Sequence, residues 1–289
     1  MIPRVAVLVT LAALACQTPR SDSDVAEPRG GAIDSARSTV RVVTPDSESF
    51  PASFAYVGPT GTELLALAPI PDHSAIRGAR CGGGRVFPVR FKETQAQDSA
   101  STYRQIASNF RRERGDVFKV LAGAATPDET CFLTADSLLL STAGTVRSLA
   151  NAACSEQQSG HLSRIAGRAV VHCWRLYQTS LGAEVLAAQF ATDDSSALAG
   201  IALVQDSVLV FFGIPAAYHG PDMDIWRVDD QGVFSPEFFG VLFAARLGGN
   251  YALALTWAGT EGESDTFLLA DSTHIAREVV KAYRYWVPE

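Results

Sequence analysis

One group of potential metal ligands in the sequence is an acidic run between Tyr218 and Gly232. This run contains four carboxylates, at Asp222, Asp224, Asp229 and Asp230. Calcium takes about 6–8 oxygen ligands, and alternating aspartates on a turn can supply some of them. However, the EF-hand spacing and its closing glutamate are absent, and an Asp-Asp-Gln-Gly sequence is also typical of a hairpin turn. We favour the turn, so these four residues are weak metal candidates.

The other polar residues do not form a recognised catalytic pattern. The sequence has five histidines but contains no His-Glu-x-x-His motif, so a zinc site would need distant residues to converge. His172 lies beside Cys173, but neighbours on a strand point to opposite faces, which is the wrong geometry for a nucleophile and its base. Neither Gly-x-Ser-x-Gly nor Ser-x-x-Lys occurs. The sequence therefore predicts no catalytic residue and no cofactor.

A short apolar run, Val5 to Cys16, follows Arg4 near the start of the sequence. It is shorter than the ~20 helical residues that a membrane span needs, and its order is that of a secretory leader. The sequence Ala13-Leu14-Ala15-Cys16 resembles the lipobox of bacterial lipoproteins, with alanine where leucine is commonest. The resemblance implies that residues 1–15 are a signal peptide and that Cys16 carries acyl chains such as palmitate as the mature N-terminus. The absence of Asp at position 17 favours the outer membrane, facing the periplasm or the cell surface.

The sequence contains five cysteines, and lipidation of Cys16 would leave Cys81, Cys131, Cys154 and Cys173. An even number in an exported protein predicts two disulfides, for which three connectivities exist. We favour Cys81–Cys131 and Cys154–Cys173, because each pair falls within one local region. The alternative, four buried free thiols, is typical of cytosolic proteins and agrees poorly with the leader.

Composition limits the partners that the chain can have. Its residues are 47% hydrophobic and 19% charged, its formal net charge is −7, and its mean hydropathy is +0.10. These values are typical of a folded domain with an apolar core. An acidic chain has no electrostatic attraction to nucleic acid or anionic lipid, so we expect no nucleic-acid partner and a membrane attachment that depends on Cys16.

The chain divides into a linker and one folded domain. Residues 16–48 are rich in Ser, Asp, Pro and Gly, which predicts a disordered linker with an r.m.s. span of ~30 Å. Residues 49–289 predict a β-rich domain, with a possible division into two subdomains near 145–160. The division into 1–15, 16–48 and 49–289 is that of a lipoprotein that holds its domain clear of the bilayer.

Short apolar runs flanked by Gly and Pro predict a mainly β fold, with α+β possible, that forms a sandwich or an open barrel. One amphipathic helix is predicted near 98–114, because Tyr103, Ile106, Ala107 and Phe110 fall on one helical face. Asp-Ser pairs at Asp136, Asp206 and Asp271 predict hairpin turns. Their loose recurrence makes a β-propeller the alternative fold.

These features together predict a cell-envelope lipoprotein whose disulfide-stabilised β domain binds a partner protein or an envelope ligand, or has a structural role. The rival interpretation is a membrane-tethered extracytoplasmic hydrolase. A convergent acid–base cluster in a deep pocket would favour the hydrolase, and a surface without titratable groups of shifted pKa would favour the binding protein.

Overall fold

Six antiparallel strands of the first half of the domain close into a barrel. The computed structural model describes residues 50–142, 144–218, 220 and 234–286. The barrel strands are β1 (Ala52–Val57), β2 (Glu63–Ala66), β3 (Gly78–Cys81), β4 (Val86–Gln95), β5 (Gly115–Val120) and β6 (Thr130–Thr134). Their order around the barrel is β1-β2-β5-β4-β3-β6, so the first and last strands of the segment pair with each other. Alternate residues such as Leu64, Phe118 and Leu133 point inwards and fill the barrel.

The rest of the chain forms two antiparallel sheets. One sheet has the order β11-β10-β9-β8-β7 and the other has the order β12-β13-β14-β15. The strands are β7 (Val146–Ala153), β8 (Val170–Thr179), β9 (Glu184–Phe190), β10 (Ser196–Gln205), β11 (Ser207–Ala217), β12 (Phe239–Leu247), β13 (Asn250–Ala258), β14 (Gly262–Ala270) and β15 (Ala276–Tyr285). Two α-helices accompany them, α1 (Ser137–Thr142) and α2 (Glu156–Ala166).

The inner strands of the four-stranded sheet are buried on both faces. On β13, Leu253 and Leu255 pack against the five-stranded sheet, whereas Ala252 and Ala254 pack against the barrel. This double burial explains why β13 reads as an almost continuous apolar run rather than as an alternating one. The layers are therefore the barrel, the four-stranded sheet, the five-stranded sheet and, outermost, α2.

Aromatic side chains fill the junction between the barrel and the four-stranded sheet. Phe132 of β6 lies at the centre, with its ring centroid 5.1 Å from that of Phe54, 5.6 Å from that of Phe243 and 4.8 Å from that of Phe267. All four rings are fully buried. Such contacts bury large apolar areas and so join the layers firmly.

Helix α2 is defined by local capping. The Ser155 side chain accepts a hydrogen bond from the amide of Gln158, and the Gln158 side-chain oxygen accepts one from the amide of Ser155. Gly167 ends the helix with φ of 66°, a left-handed conformation that suits glycine. Leu162 packs the helix onto the outer face of the five-stranded sheet.

The mainly β prediction is confirmed, and the barrel is closed rather than open. The propeller alternative is wrong, because the described strands form one barrel and two packed sheets. The hairpins at Asp206 and Asp271 are confirmed, since they join β10 to β11 and β14 to β15. At Asp136 the prediction is wrong, because the Asp136 carboxylate accepts the amides of Leu138 and Leu139 and caps α1 instead.

The prediction of an amphipathic helix near 98–114 is also wrong. Within residues 98–114, the structure contains a short 3₁₀ helix, at Ala107–Arg112, and no α-helix. Tyr103 has a φ of 60° and is 69% exposed, so it lies in a left-handed conformation and outside the apolar face assigned to it. Asp98 accepts the amides of Ala100 and Ser101 in a tight turn, and such local bonds compete with helical ones.

Candidate functional site

A cleft of about 640 Å³ opens where the barrel meets the four-stranded sheet. Its lining includes Ile106, Asp128, Thr130 and Leu242 together with Thr256, Glu263, Arg284 and Trp286. The barrel side is formed by the loop before β6 and by β6 itself. The sheet side is formed by β13, β14 and the end of β15. The cleft thus places acidic, basic and aromatic groups from distant parts of the sequence side by side.

Two carboxyl groups lie on the barrel-facing side of β14. Glu263 and Asp265 are two residues apart on this strand and so share one face. Glu263 is 9% exposed, and one of its carboxyl oxygens accepts a hydrogen bond from the Thr130 hydroxyl. Asp265 is fully buried and lies opposite Thr256 of β13, a residue of the cleft wall. Among the described residues, neither carboxyl oxygen of Asp265 has a hydrogen-bond partner.

Arg284 of β15 supplies the positive charge next to this pair. Its Nε donates to the Gln105 carbonyl at 2.8 Å, and its Nη1 donates to the Asp128 carbonyl at 2.6 Å and to the Thr130 hydroxyl at 3.1 Å. The Asp128 carboxylate accepts from Nη2 at 3.3 Å. The closest approach of the guanidinium to Glu263 is 3.7 Å, a longer contact than any of these. Arg284 therefore joins the sheet to the barrel loops and only partly compensates the carboxyl pair.

Burial controls the protonation of the pair. Desolvation raises the pKa of Asp265 well above its ordinary value; the neighbouring charge of Glu263 raises it further, and Arg284 acts in the opposite direction. The pKa of Glu263 is also raised by burial, against the Thr130 hydrogen bond and Arg284. Two buried carboxyls that repel each other retain a proton or attract a cation, because both cannot ionise freely in a desolvated site.

Tyr56 of β1 lies beside Arg284 on the barrel side. Its pKa is raised, first by burial and second by the charge of Glu113, so it stays neutral at physiological pH. The Arg284 guanidinium lies 5.2 Å from the Tyr56 ring centroid and 5.2 Å from that of Trp286. Cation–π contact on both sides helps to hold the guanidinium in place.

A histidine–aspartate pair lies in a second cleft, at the barrel. His73 Nε2 is 2.9 Å from Asp116 Oδ2, and the imidazole stacks on Phe91 with a centroid distance of 4.2 Å. Asp116 also accepts the amide of Ile70, so it anchors the loop that crosses the end of the barrel. The neighbouring Ser74 hydroxyl donates to Asp72 rather than to His73. This pair fits a structural anchor better than a nucleophilic relay, in which the serine would have to contact the histidine.

Both disulfides expected from the sequence are present. Cys81 and Cys131 are opposite residues on β3 and β6 and are fully buried in the barrel. Cys154, just before α2, is joined to Cys173 of β8. Cys173 is therefore not a free thiol next to His172. Glu129 lies close to Cys81 and Cys131, and the ligand atoms of the three residues are near enough together to hold a metal ion. However, the two cysteine sulfur atoms are bonded to each other in the disulfide.

The remaining predicted site residues lie outside the described part of the chain. These are the lipidation residue Cys16 and the weak metal candidates Asp222, Asp224, Asp229 and Asp230. Glu263, Asp265 and Arg284 were not among the residues predicted from the sequence. The alternation of Glu263, Asp265 and Phe267 was a usable signal. It places two carboxyl groups on the same strand face as an apolar phenylalanine, and such a face is expected to be buried.

Within the described ranges, no helix has both the length and the apolar character that crossing a membrane requires. Comparison of the chain with protein-family models, curated proteins and solved structures finds no match.

Proposed function

We propose that this chain is an exported lipoprotein of the cell envelope whose β domain binds a ligand in the cleft between the barrel and the sheet. In this proposal the signal peptide, residues 1–15, is removed and Cys16 is lipidated. Residues 16–48 then form the linker to the domain at 49–289. The observation that supports export is the presence of two disulfides, Cys81–Cys131 and Cys154–Cys173. Disulfides form and persist in oxidising compartments.

Membrane attachment through Cys16 agrees with the rest of the molecule. The formal net charge of −7 gives no attraction to anionic lipid or nucleic acid, so the lipid anchor would be the membrane contact. The residue after Cys16 is glutamine, which supports an outer-membrane location. The expected partners are then an envelope protein or an envelope ligand.

The raised pKa values of Glu263 and Asp265 are a feature expected of the rival hydrolase, but the arrangement of these groups around the cleft supports binding. In two-carboxyl hydrolases both groups face the scissile bond, one as acid and the other as nucleophile or base. Here Glu263 lines the cleft, whereas Asp265 is fully buried behind the wall. Arg284 already donates to Gln105, Asp128 and Thr130, so its guanidinium is a fixed part of the wall. A wall of fixed charges beside apolar residues is typical of a binding site.

The anchor is tested by Cys16→Ala in the organism that makes the protein. We expect the variant to leave the membrane fraction or to accumulate as an unprocessed precursor, while the wild type fractionates with the outer membrane. Gln17→Asp is the matched variant, since it keeps the cysteine and is expected to move the protein to the inner membrane. An unchanged fractionation and an unchanged mature mass for Cys16→Ala would refute the lipoprotein proposal.

A further inference from the structure

The two disulfides differ in their access to solvent. Cys81 and Cys131 are 0% exposed and lie within the apolar interior of the barrel. Cys154 and Cys173 are both partly exposed, and Cys154 lines a cleft of about 510 Å³ between the start of α2 and the five-stranded sheet. A disulfide is broken by a thiolate that reaches one of its sulfur atoms, so access decides which bridge reacts. In the folded protein, the bridge open to such attack is therefore Cys154–Cys173.

The lining of this second cleft suits a thiol that is carried by a peptide. Its volume is within the range of about 300–1,000 Å³ that small-ligand sites have. Arg175 donates to the Glu184 carboxylate at 2.8 Å, so the charges of this pair compensate each other. The other polar side chains of the lining can donate to or accept from a peptide backbone. They are Gln157, Gln158, His161, Gln205 and Asp206.

The position of the bridge indicates which sulfur is attacked. Cys154 belongs to the cleft lining and Cys173 does not, so a thiolate in the cleft attacks Cys154 Sγ. A bond forms between the incoming sulfur and Cys154, the bond to Cys173 breaks, and Cys173 leaves as a thiolate that takes a proton from solvent. The product is a mixed disulfide on Cys154.

A second thiol completes the reduction. It attacks the reductant's sulfur in the mixed disulfide, forms the reductant's own disulfide and releases Cys154 as a thiolate. Cys154 directly precedes Ser155, the N-cap of α2, and the positive end of a helix stabilises a thiolate there. After protonation of Cys154, two electrons and two protons have passed from the thiols to the bridge.

The contacts around the bridge allow the reaction to be reversed. The amide of Cys154 donates to the carbonyl of Cys173 at 3.2 Å, and Gln158 Nε2 donates to Glu184 Oε2 at 2.8 Å. The Ser155–Gln158 capping box fixes the start of α2 independently of the disulfide. None of these bonds involves a sulfur atom. The two thiols therefore stay close together after reduction, and the bridge can form again.

We propose that Cys154–Cys173 is a thiol–disulfide exchange site for a cysteine thiol, whereas Cys81–Cys131 is a permanent structural bridge. The same thiol chemistry is present in a free peptide such as glutathione and in a partner protein with a Cys-x-x-Cys pair. The site is separate from the cleft between the barrel and the four-stranded sheet. The inference thus goes beyond the proposed function and does not rest on ligand binding in that cleft.

The test uses the full-length protein in detergent, incubated with reduced glutathione or with reduced thioredoxin. The reaction is quenched with acid, free thiols are alkylated, and the cysteine peptides are identified by mass spectrometry. We expect Cys154 and Cys173 to be labelled roughly tenfold or more faster than Cys81 and Cys131, because the barrel shields the second pair. In guanidinium chloride this difference should disappear, since unfolding exposes both bridges.

Two single variants test the role of each sulfur. Cys173→Ser leaves Cys154 free, and Cys154→Ser leaves Cys173 free; circular dichroism checks that both are folded. With glutathione disulfide, we expect the Cys154 thiol to form the mixed disulfide roughly tenfold or more faster than the Cys173 thiol. In the wild type, the glutathione adduct should be on Cys154.

The rates also identify the source of the thiol. At equal thiol concentration, faster reduction by thioredoxin indicates a dithiol protein, and faster reduction by glutathione indicates a free peptide thiol. Equal reduction of both bridges in the folded protein would overturn the proposal, and so would an adduct on Cys173 instead of Cys154. It is also overturned if the bridge does not form again after the reductant is removed. None of these results bears on the fractionation of Cys16→Ala, so the anchor is judged separately.

Discussion

Replacement of Arg284 by methionine tests whether this side chain compensates the buried carboxyl pair. Methionine keeps the length of the stem but removes the charge and all donors. In the wild type, the guanidinium donates to Gln105, Asp128 and Thr130, and among the described residues it is the cation that pairs with Glu263. Removing one partner of a buried ion pair costs about 3–5 kcal/mol, because the other partner stays buried without compensation. We expect a loss of that size at about pH 8.

The loss should shrink at lower pH, because of the direction of the carboxyl shifts. The folded-state pKa values of Glu263 and Asp265 are raised. Both carboxyl groups therefore contribute most to the stability of the folded state when the pH is below their pKa in the unfolded chain. This contribution is lost as the pH rises through their pKa in the folded state. Removing Arg284 raises both pKa values further, so the variant is penalised most when the solvent is basic. Each additional unit of pKa shift adds about 1.4 kcal/mol to the difference between the two conditions.

The measurement is urea unfolding at about pH 5 and about pH 8, with the disulfides intact, followed by tryptophan fluorescence. Arg277→Met on the same strand is the control; Arg277 is exposed, so its replacement should change the free energy of unfolding by less than about 0.5 kcal/mol. Adding Asp265→Asn to Arg284→Met should restore part of the loss. A loss below about 1 kcal/mol, or an equal loss at both pH values, would refute the proposed compensation.

Three further outcomes are expected. Replacing Cys81 and Cys131 together by alanine should destabilise the domain by about 4 kcal/mol, and replacing Cys154 and Cys173 by about 3 kcal/mol, because the bridges join residues 50 and 19 apart; urea unfolding measures both. Phe132→Ala should cost about 3–5 kcal/mol by the same assay, since its fully buried ring contacts Phe54, Phe243 and Phe267. Millimolar calcium should not raise the melting temperature relative to chelator; a rise that Asp222→Asn with Asp224→Asn abolishes would contradict the turn interpretation.

Local sequence signals predicted the strands and the disulfide pairing. Runs such as those around Phe54 and Leu65 are short, apolar and flanked by Gly or Pro, and the folded chain uses them as β1 and β2. Proximity in sequence suggested the cysteine pairs, and both bridges join adjacent strands or a strand to the segment beside it. The strands and the Cys154–Cys173 bridge depend on residues close together in the sequence, which is why the sequence alone is informative about them. Cys81 and Cys131 are 50 residues apart, and their pairing was favoured because the four cysteines divide into two regional pairs.

Local signals were insufficient where two structures share the same chemistry. Asp136 accepts amides one and two residues beyond Ser137, as an aspartate does in a turn or at a helix start, and here it begins α1. The helical spacing from Tyr103 to Phe110 was misleading for a related reason. Phe110 packs on Tyr56 of the barrel with a centroid distance of 5.6 Å, and this contact does not require Tyr103 to be on the same helix face.

Closure of the barrel could not be deduced from the order of the strands. β1 pairs with β6, and β5 lies between β2 and β4, so the strand neighbours are not the sequence neighbours. The cleft could not be predicted for the same reason, because it brings together Thr130 of β6 and Arg284 of β15, which are 154 residues apart in the sequence. Pairing at such range depends on the packing of whole layers rather than on any motif.

The position of Asp265 is nevertheless informative once the layers are known. Much of the barrel-facing side of this sheet is apolar, with Ala252, Ala254, Phe267 and Ala282 fully or almost fully buried. An apolar residue at position 265 would extend that surface, avoid desolvating a carboxyl group and remove the repulsion from Glu263. Stability therefore does not account for an aspartate without donors at this point. Desolvated carboxyls with raised pKa values are a common property of functional sites, and this one lies directly behind the wall of the cleft proposed to bind a ligand.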